Sequence, residues 1–166
     1  ICTLKGDFMK DITSLIRNRL KEDQVTFLNS VAEAATHDQL NAYVVGGFVR
    51  DLLLNIKSLD IDLVVEGDGI SFAETLAEKF DGQTISYEKF GTSTLMLKNK
   101  PDIDVATART ENYPHPAALP KVEPSNIQLD LGRRDFTINS MAIKLCSKGT
   151  FSLIDLYDGE NDLKNG

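Results

Sequence analysis

One short pattern constrains this 166-residue chain more than any other: Leu59-Asp60-Ile61-Asp62-Leu63-Val64-Val65. On a strand, residues two apart point to the same face. Read as a strand, the segment sets Asp60 and Asp62 side by side and turns Ile61 and Leu63 the other way. Two adjacent carboxylates repel and raise each other's pKa unless a cation lies between them. Mg2+ suits such a pair, because it takes hard oxygen ligands, often one or two carboxylates together with substrate phosphates. The same spacing also fits a solvated strand end that carries no metal. The pattern recurs in Asp102-Ile103-Asp104-Val105, inside a second predicted strand. With the two strands as neighbours, Asp104 completes a three-carboxylate cluster able to hold two metal ions around a phosphoryl transfer. Otherwise Asp104 is a surface residue closing a turn after Pro101.

The periodicity around these strands alternates between helix and sheet. Phe8, Met9, Ile12, Leu15, Ile16 and Leu20 recur at helical spacing, with Asp7 placed to cap. Val25, Phe27, Leu28, Val31, Ala32 and Ala35 form a second helical set. A short buried strand over 42–45 then runs through Gly46-Gly47 into a helical turn or two over 48–54. After the strand over 61–65, Gly67-Asp68-Gly69 reads as a turn and 71–80 as a helix, followed by strands near 83–87, 93–97 and 103–107. The stretch 111–124 holds four of the five prolines and reads as a loop. Helical pieces over 125–140, a hairpin of 141–145 with 151–154, and a polar tail complete the chain. This order predicts an α+β (mixed α/β) domain.

With 42% hydrophobic and 26% charged residues, an ordinary globular core is expected. No apolar run approaches the roughly 20 residues of a membrane helix, and the first residues lack the layout of a signal peptide. The sequence does not begin with Met, so a piece of a longer protein is expected. Cys2 and Cys146 make no framework and read as free thiols of a cytoplasmic protein. The net charge of -7 argues against a broad nucleic-acid-binding face. Any grip on RNA must come from elsewhere or from a few focused cations.

Two further segments carry chemistry. In Val44-Val45-Gly46-Gly47 the glycines permit close backbone approach, and amides at a helix start suit phosphate oxygens. Arg50 falls about one turn in and can add a charge-assisted bond, while Asp51 reads as a structural partner for an arginine. A structural turn with no ligand fits the glycines equally well. In Leu131-Gly132-Arg133-Arg134-Asp135-Phe136-Thr137-Ile138-Asn139-Ser140-Met141-Ala142, the spacing allows Arg134, Asp135, Ile138 and Asn139 to share a helical side. Arginine matches phosphate, and Asp and Asn can bond ribose hydroxyls. A capped helix with a solvated Arg-Asp pair also fits. Arg109, five residues past Asp104, either faces phosphates or is a surface residue.

Together these segments resemble the class II tRNA nucleotidyltransferase (CCA-adding enzyme) and bacterial poly(A) polymerase family. The resemblance rests on 45–54, Asp60-Ile61-Asp62 and 133–142. Phe90-Gly91-Thr92, 104–109, 119–123 and 155–163 extend it, in family order, from about Ala42 to the end. It implies a head domain of the DNA polymerase β-like nucleotidyltransferase fold, a small mixed sheet backed by helices, over 42–166. Residues 1–41 would form an N-terminal helical connector, like that of long members carrying upstream regulatory domains such as CBS pairs.

The resemblance further implies that Asp60 and Asp62 bind Mg2+, that Asp104 is the third acidic position of a two-ion site, and that Gly46, Gly47 and Arg50 hold the triphosphate. Arg134, Asp135 and Asn139 would contact ribose or phosphates. The expected reaction transfers AMP or CMP from ATP or CTP to the 3′-hydroxyl of tRNA. The base-selecting neck and the domains that grip tRNA lie outside this sequence, so little or no extension is expected of it alone. Poly(A) addition to other RNA, a non-catalytic nucleotide-sensing module and transfer to a small molecule are the competing readings.

Overall fold

The computed structural model describes residues 8–57, 60–112, 116 and 121–166. The chain opens with β1 (Met9–Asp11), α1 (Thr13–Arg19) and α2 (Glu22–His37). There follow β2 (Asn41–Val45), α3 (Gly47–Leu53), β3 (Asp62–Glu66) and α4 (Gly69–Phe80). Then come β4 (Gln83–Tyr87), β5 (Thr92–Met96), β6 (Ile103–Thr107), β7 (Arg109–Asn112) and β8 (Lys121–Pro124). The last part holds α5 (Ile127–Gly132), a 3₁₀ turn (Thr137–Asn139), β9 (Met141–Cys146), β10 (Thr150–Asp155) and α6 (Gly159–Asn165).

Eight strands form one mixed sheet in the order β1-β10-β9-β2-β3-β6-β5-β4, and β7 pairs with β8 apart from it. Every neighbour pair in the large sheet is antiparallel except β3 with β6. The central strands are covered on both faces, which is why their sequences read as unbroken apolar runs. Val44, Leu63, Val65, Val105 and Ile143 belong to one core cluster with Phe27, Leu28 and Val31 of α2 and Phe72 and Leu76 of α4. Tyr43, Val45, Val64 and Ala142 belong to a second cluster with Ile127 and Leu131 of α5. The described part of the first 41 residues is built into this body: α2 contributes to the main core, and β1 lies at the sheet edge beside β10.

Three local expectations are corrected. The helix expected over 8–20 begins only at Thr13, because Met9–Asp11 pairs with β10 and the Asp11 carboxylate accepts from the Thr13 amide at 2.8 Å. Its expected cap, Asp7, lies outside the described residues. The ends of the expected loop 111–124 are strands β7 and β8. Cys146, expected free, is disulfide-bonded; two lone cysteines at distant positions give no spacing signal for pairing. Cys2 lies outside the described residues. No described helix is long and apolar enough to cross a membrane.

Candidate active site

The site is laid out by the one parallel pairing of the sheet. β3 and β6 run in register with Asp62 opposite Asp104, so both side chains leave the same face. Asp60 precedes the strand by one period and adds its charge to the same place. The Asp62 carboxyl is held above its usual range, by burial first, then by the negative charge of Asp104, with Asp60 adding to the shift and Arg134 opposing it. Asp104 is turned toward the next strand, where its register partner Thr94 donates from Oγ1 to Oδ1 at 2.8 Å. No three His, Cys, Asp or Glu side chains among the described residues already converge on one ligating point. The donor set nonetheless suits a divalent cation. It offers hard carboxylate oxygens whose mutual repulsion raises the Asp62 pKa, a cost that a bound cation relieves.

The glycine pair stands beside these carboxylates. Gly46 ends β2 with φ 73° and ψ -137°, a conformation that side chains resist, and it caps the start of α3. A Cβ on Gly46 would lie 3.4 Å from Arg134 Nη1 and 3.7 Å from Asp62 Oδ2. Backbone, guanidinium and carboxylate thus border one small space. At Gly47, a Cβ would lie 3.5 Å from Arg50 Nη2. Arg50 donates to Asp51 Oδ1 at 2.9 Å from Nε and to Asn139 Oδ1 at 3.1 Å from Nη1. Asp51 is therefore the arginine's structural partner, and Asn139 is tied to the glycine turn through Arg50.

Arg134 is positioned by a residue that the sequence did not single out. Asp130, fully buried on α5, accepts from Arg134 Nη2 at 3.1 Å, from Arg133 Nη2 at 3.0 Å and from the Arg109 amide at 3.2 Å. The helix that carries it is itself fixed at its start. Asn126 Oδ1 accepts from the Leu129 amide at 3.0 Å, and Glu66 Oε1, at the end of β3, accepts from the Ile127 amide at 2.8 Å. The four-residue spacing of Asp130 and Arg134, which lets a residue just past the end of α5 fold back onto it, was the available signal.

Two further expectations fare differently. The shared helical side for Arg134, Asp135, Ile138 and Asn139 does not form, because α5 stops at Gly132 and the segment resumes as a 3₁₀ turn at Thr137. Asp135 is exposed between them. The Arg109 guanidinium is engaged away from the carboxylates, donating to the Phe90 carbonyl at 2.7 Å and pairing with Glu111 at 3.0 Å. Cleft size does not mark the site: a cleft of about 710 Å³ between α4 and β4 is lined by Glu74, Glu78 and Asp81, the wrong charge for phosphate.

Residues 42–166 match the family model described as the poly A polymerase head domain. The chain is 43% identical over 155 residues to an A-adding tRNA nucleotidyltransferase of Geobacter sulfurreducens, covering 93% of this chain and 18% of that protein. That match is longer than 42–166 and so reaches into the first 41 residues. An apo structure of a CCA-adding enzyme superposes with a TM-score of 0.90 at 46% identity, over 97% of this chain and 38% of that one. The Thermotoga maritima CCA-adding enzyme complexed with tRNA gives a TM-score of 0.84 at 41% identity, over 97% and 36%. The chain thus spans well under half the length of each.

Proposed function

The chain belongs to the poly A polymerase head domain family, and from that premise we propose that it is the catalytic head of a template-independent tRNA nucleotidyltransferase. The 3′-hydroxyl of tRNA attacks the α-phosphate of ATP or CTP, the RNA gains AMP or CMP, and pyrophosphate leaves. The observation that carries this reading is the register that sets Asp62 beside Asp104, with Asp60 and Arg134 close enough to shift the Asp62 carboxyl.

Asp60, Asp62 and Asp104 would hold two Mg2+ ions, which supply Lewis-acid polarisation of the phosphate and a lowered pKa for the attacking hydroxyl. The rest falls to the chain. The open backbone at Gly46 and Gly47 admits the triphosphate where a Cβ would crowd it. Arg134, anchored from behind by Asp130, presents its guanidinium to the same space and neutralises charge on the transferring group. Arg50 and Asn139, already bonded to each other, contact triphosphate and ribose from the glycine side. Exposed Asp135 is free to meet the ribose hydroxyls. Arg109 acts through positive potential and by bracing Phe90, rather than by a direct bond.

With ATP, CTP and tRNA as substrates, the proposed activity is a cytoplasmic one. The poly A polymerase description of the family makes long A-tailing of RNA the second reading. The test offers the full-length protein Mg2+, CTP and ATP with tRNA transcripts lacking three, two or one terminal nucleotides, and reads product lengths on a gel. Addition of one to three nucleotides supports the reading and names the subtype. A long A ladder favours the second reading, and no extension of any RNA rejects both.

A further inference from the structure

One row of side chains crosses the sheet through the carboxylates. Ile85 of β4 pairs with Thr94 of β5, Thr94 with Asp104 of β6, Asp104 with Asp62 of β3, and Asp62 with Val45 of β2. Register partners leave the same face, and the 2.8 Å bond from Thr94 Oγ1 to Asp104 Oδ1 joins two members of the row directly. Tyr87, two residues past Ile85 and paired with Thr92, stands on that face as well. The two halves of the face differ. Over β2, β3 and β9, Tyr43, Val45, Val64 and Ala142 are buried in one cluster with Ile127 and Leu131 of α5. Over β4 and β5 the face lies open: Ile85 is 48% and Tyr87 51% exposed, and Thr92 and Thr94 are half-buried. The other face of β5 is closed, with Leu95 in the same core as Phe72 and Leu76 of α4.

We infer that this open half of the face, Tyr87 and Ile85 with Thr92 and Thr94, seats the last nucleotides of the RNA strand being extended, an inference that rests on the nucleotidyltransferase reading. An in-line displacement sets the attacking oxygen opposite the leaving one. The triphosphate side of the site is Gly46, which follows Val45 at the end of β2 and borders Asp62. Asp104 flanks Asp62 from β6, on the other side of β3. Pyrophosphate leaving toward Gly46 and Gly47 therefore requires the 3′-hydroxyl to arrive from the β6 side, across Asp104. The next strands on that side are β5 and β4. At about 4.8 Å per strand, Ile85 stands roughly 10 Å beyond Asp104, the length of about three stacked nucleotides. Tyr87 offers a ring on which a base can stack, and Ile85 an apolar contact. The threonine hydroxyls can bond the sugar–phosphate backbone whatever the sequence.

The test measures initial rates of AMP or CMP incorporation into 3′-truncated tRNA by full-length protein, varying tRNA and nucleotide separately, with ATP·Mg2+ binding read in parallel. The variants are Tyr87→Ala, Tyr87→Phe and Ile85→Glu. Phe8→Ala, which removes an exposed ring beside β1 at the opposite edge of the sheet, is the control. Tyr87→Ala is expected to lower kcat/KM for tRNA about tenfold, as the loss of one stacked base does. Ile85→Glu should lower it at least as far, by setting a negative charge among the RNA phosphates. Tyr87→Phe keeps the ring and should restore the unaltered value, and the KM for nucleotide and ATP·Mg2+ binding should not change. An unchanged kcat/KM for tRNA in Tyr87→Ala overturns the inference. So does an equal fall in Phe8→Ala, no rescue by Tyr87→Phe, or a fall that resides in the nucleotide KM. An unaltered protein that incorporates nothing counts instead against the nucleotidyltransferase reading.

Discussion

Asp62 shows how far single residues were legible. Period-two spacing marks Asp60, Asp62 and Asp104, because strand geometry alone fixes which side chains share a face. What spacing does not carry is the cost of the arrangement. The Asp62 carboxyl is raised by burial and by its acidic neighbours, so the folded protein binds that proton more readily than the unfolded chain. The resulting penalty is absent below the ordinary carboxylate range. It grows as pH rises through the raised pKa and is present in full at neutral pH. Asp62→Asn is therefore expected to raise the thermal midpoint of the metal-free protein at pH 7, with the difference gone by about pH 3. A melting series with and without Mg2+ checks this: Mg2+ should stabilise the unaltered protein more than the variant. Gly46→Ala is expected to cost about 1–3 kcal/mol in backbone strain at φ 73°. Because its Cβ faces Arg134 and Asp62, it should also raise the KM for nucleotide, measured by initial rates.

Elements were legible where their apolar pattern answers to a local period, and illegible where a distant partner decides. The buried central strands and α2 and α4 follow their own sequences. β1 does not: Met9 suits a helix as well as a strand, and pairing with β10, some 140 positions away, settles it. The arginine segment misled for a similar reason. Its side chains are gathered by Asp130 from behind rather than by one helix face. Asp130→Ala takes an acceptor from the half-buried Arg133 and Arg134 guanidinium groups and is expected to destabilise by about 1.5–3 kcal/mol. At a temperature where the variant stays folded, nucleotide affinity should fall as well; a chemical-denaturation curve and a nucleotide titration separate the two effects. Gly69 seats α4 on β6, its amide donating to Thr107 Oγ1 at 2.9 Å, and a Cβ there would lie 2.6 Å from the Thr107 backbone nitrogen. Gly69→Ala should cost about 1–3 kcal/mol by overpacking, read as a lower denaturation midpoint.

For the whole molecule, charge and coverage belong together. The chain is acidic, yet Arg134 shares the space beside Gly46 with Asp62, so global charge predicts little about where a polyanion can be held. Relatives more than twice its length leave room for a larger grip on tRNA outside this domain. The subtype of addition was not legible here, since A-adding and CCA-adding proteins both match these residues. The fold class was, because several motifs in order, each ambiguous alone, are jointly compatible with few sheets. The central claim is that the face built by Asp60, Asp62 and Asp104 performs nucleotidyl transfer. Its most direct measurement is the rate of labelled AMP or CMP incorporation into 3′-truncated tRNA by full-length protein, unaltered and Asp62→Asn, with tRNA affinity measured alongside. The account requires the variant's turnover to fall by at least about a thousandfold, as befits loss of several kcal/mol of metal-assisted stabilisation, while tRNA affinity holds. Turnover within tenfold of the unaltered protein would contradict it.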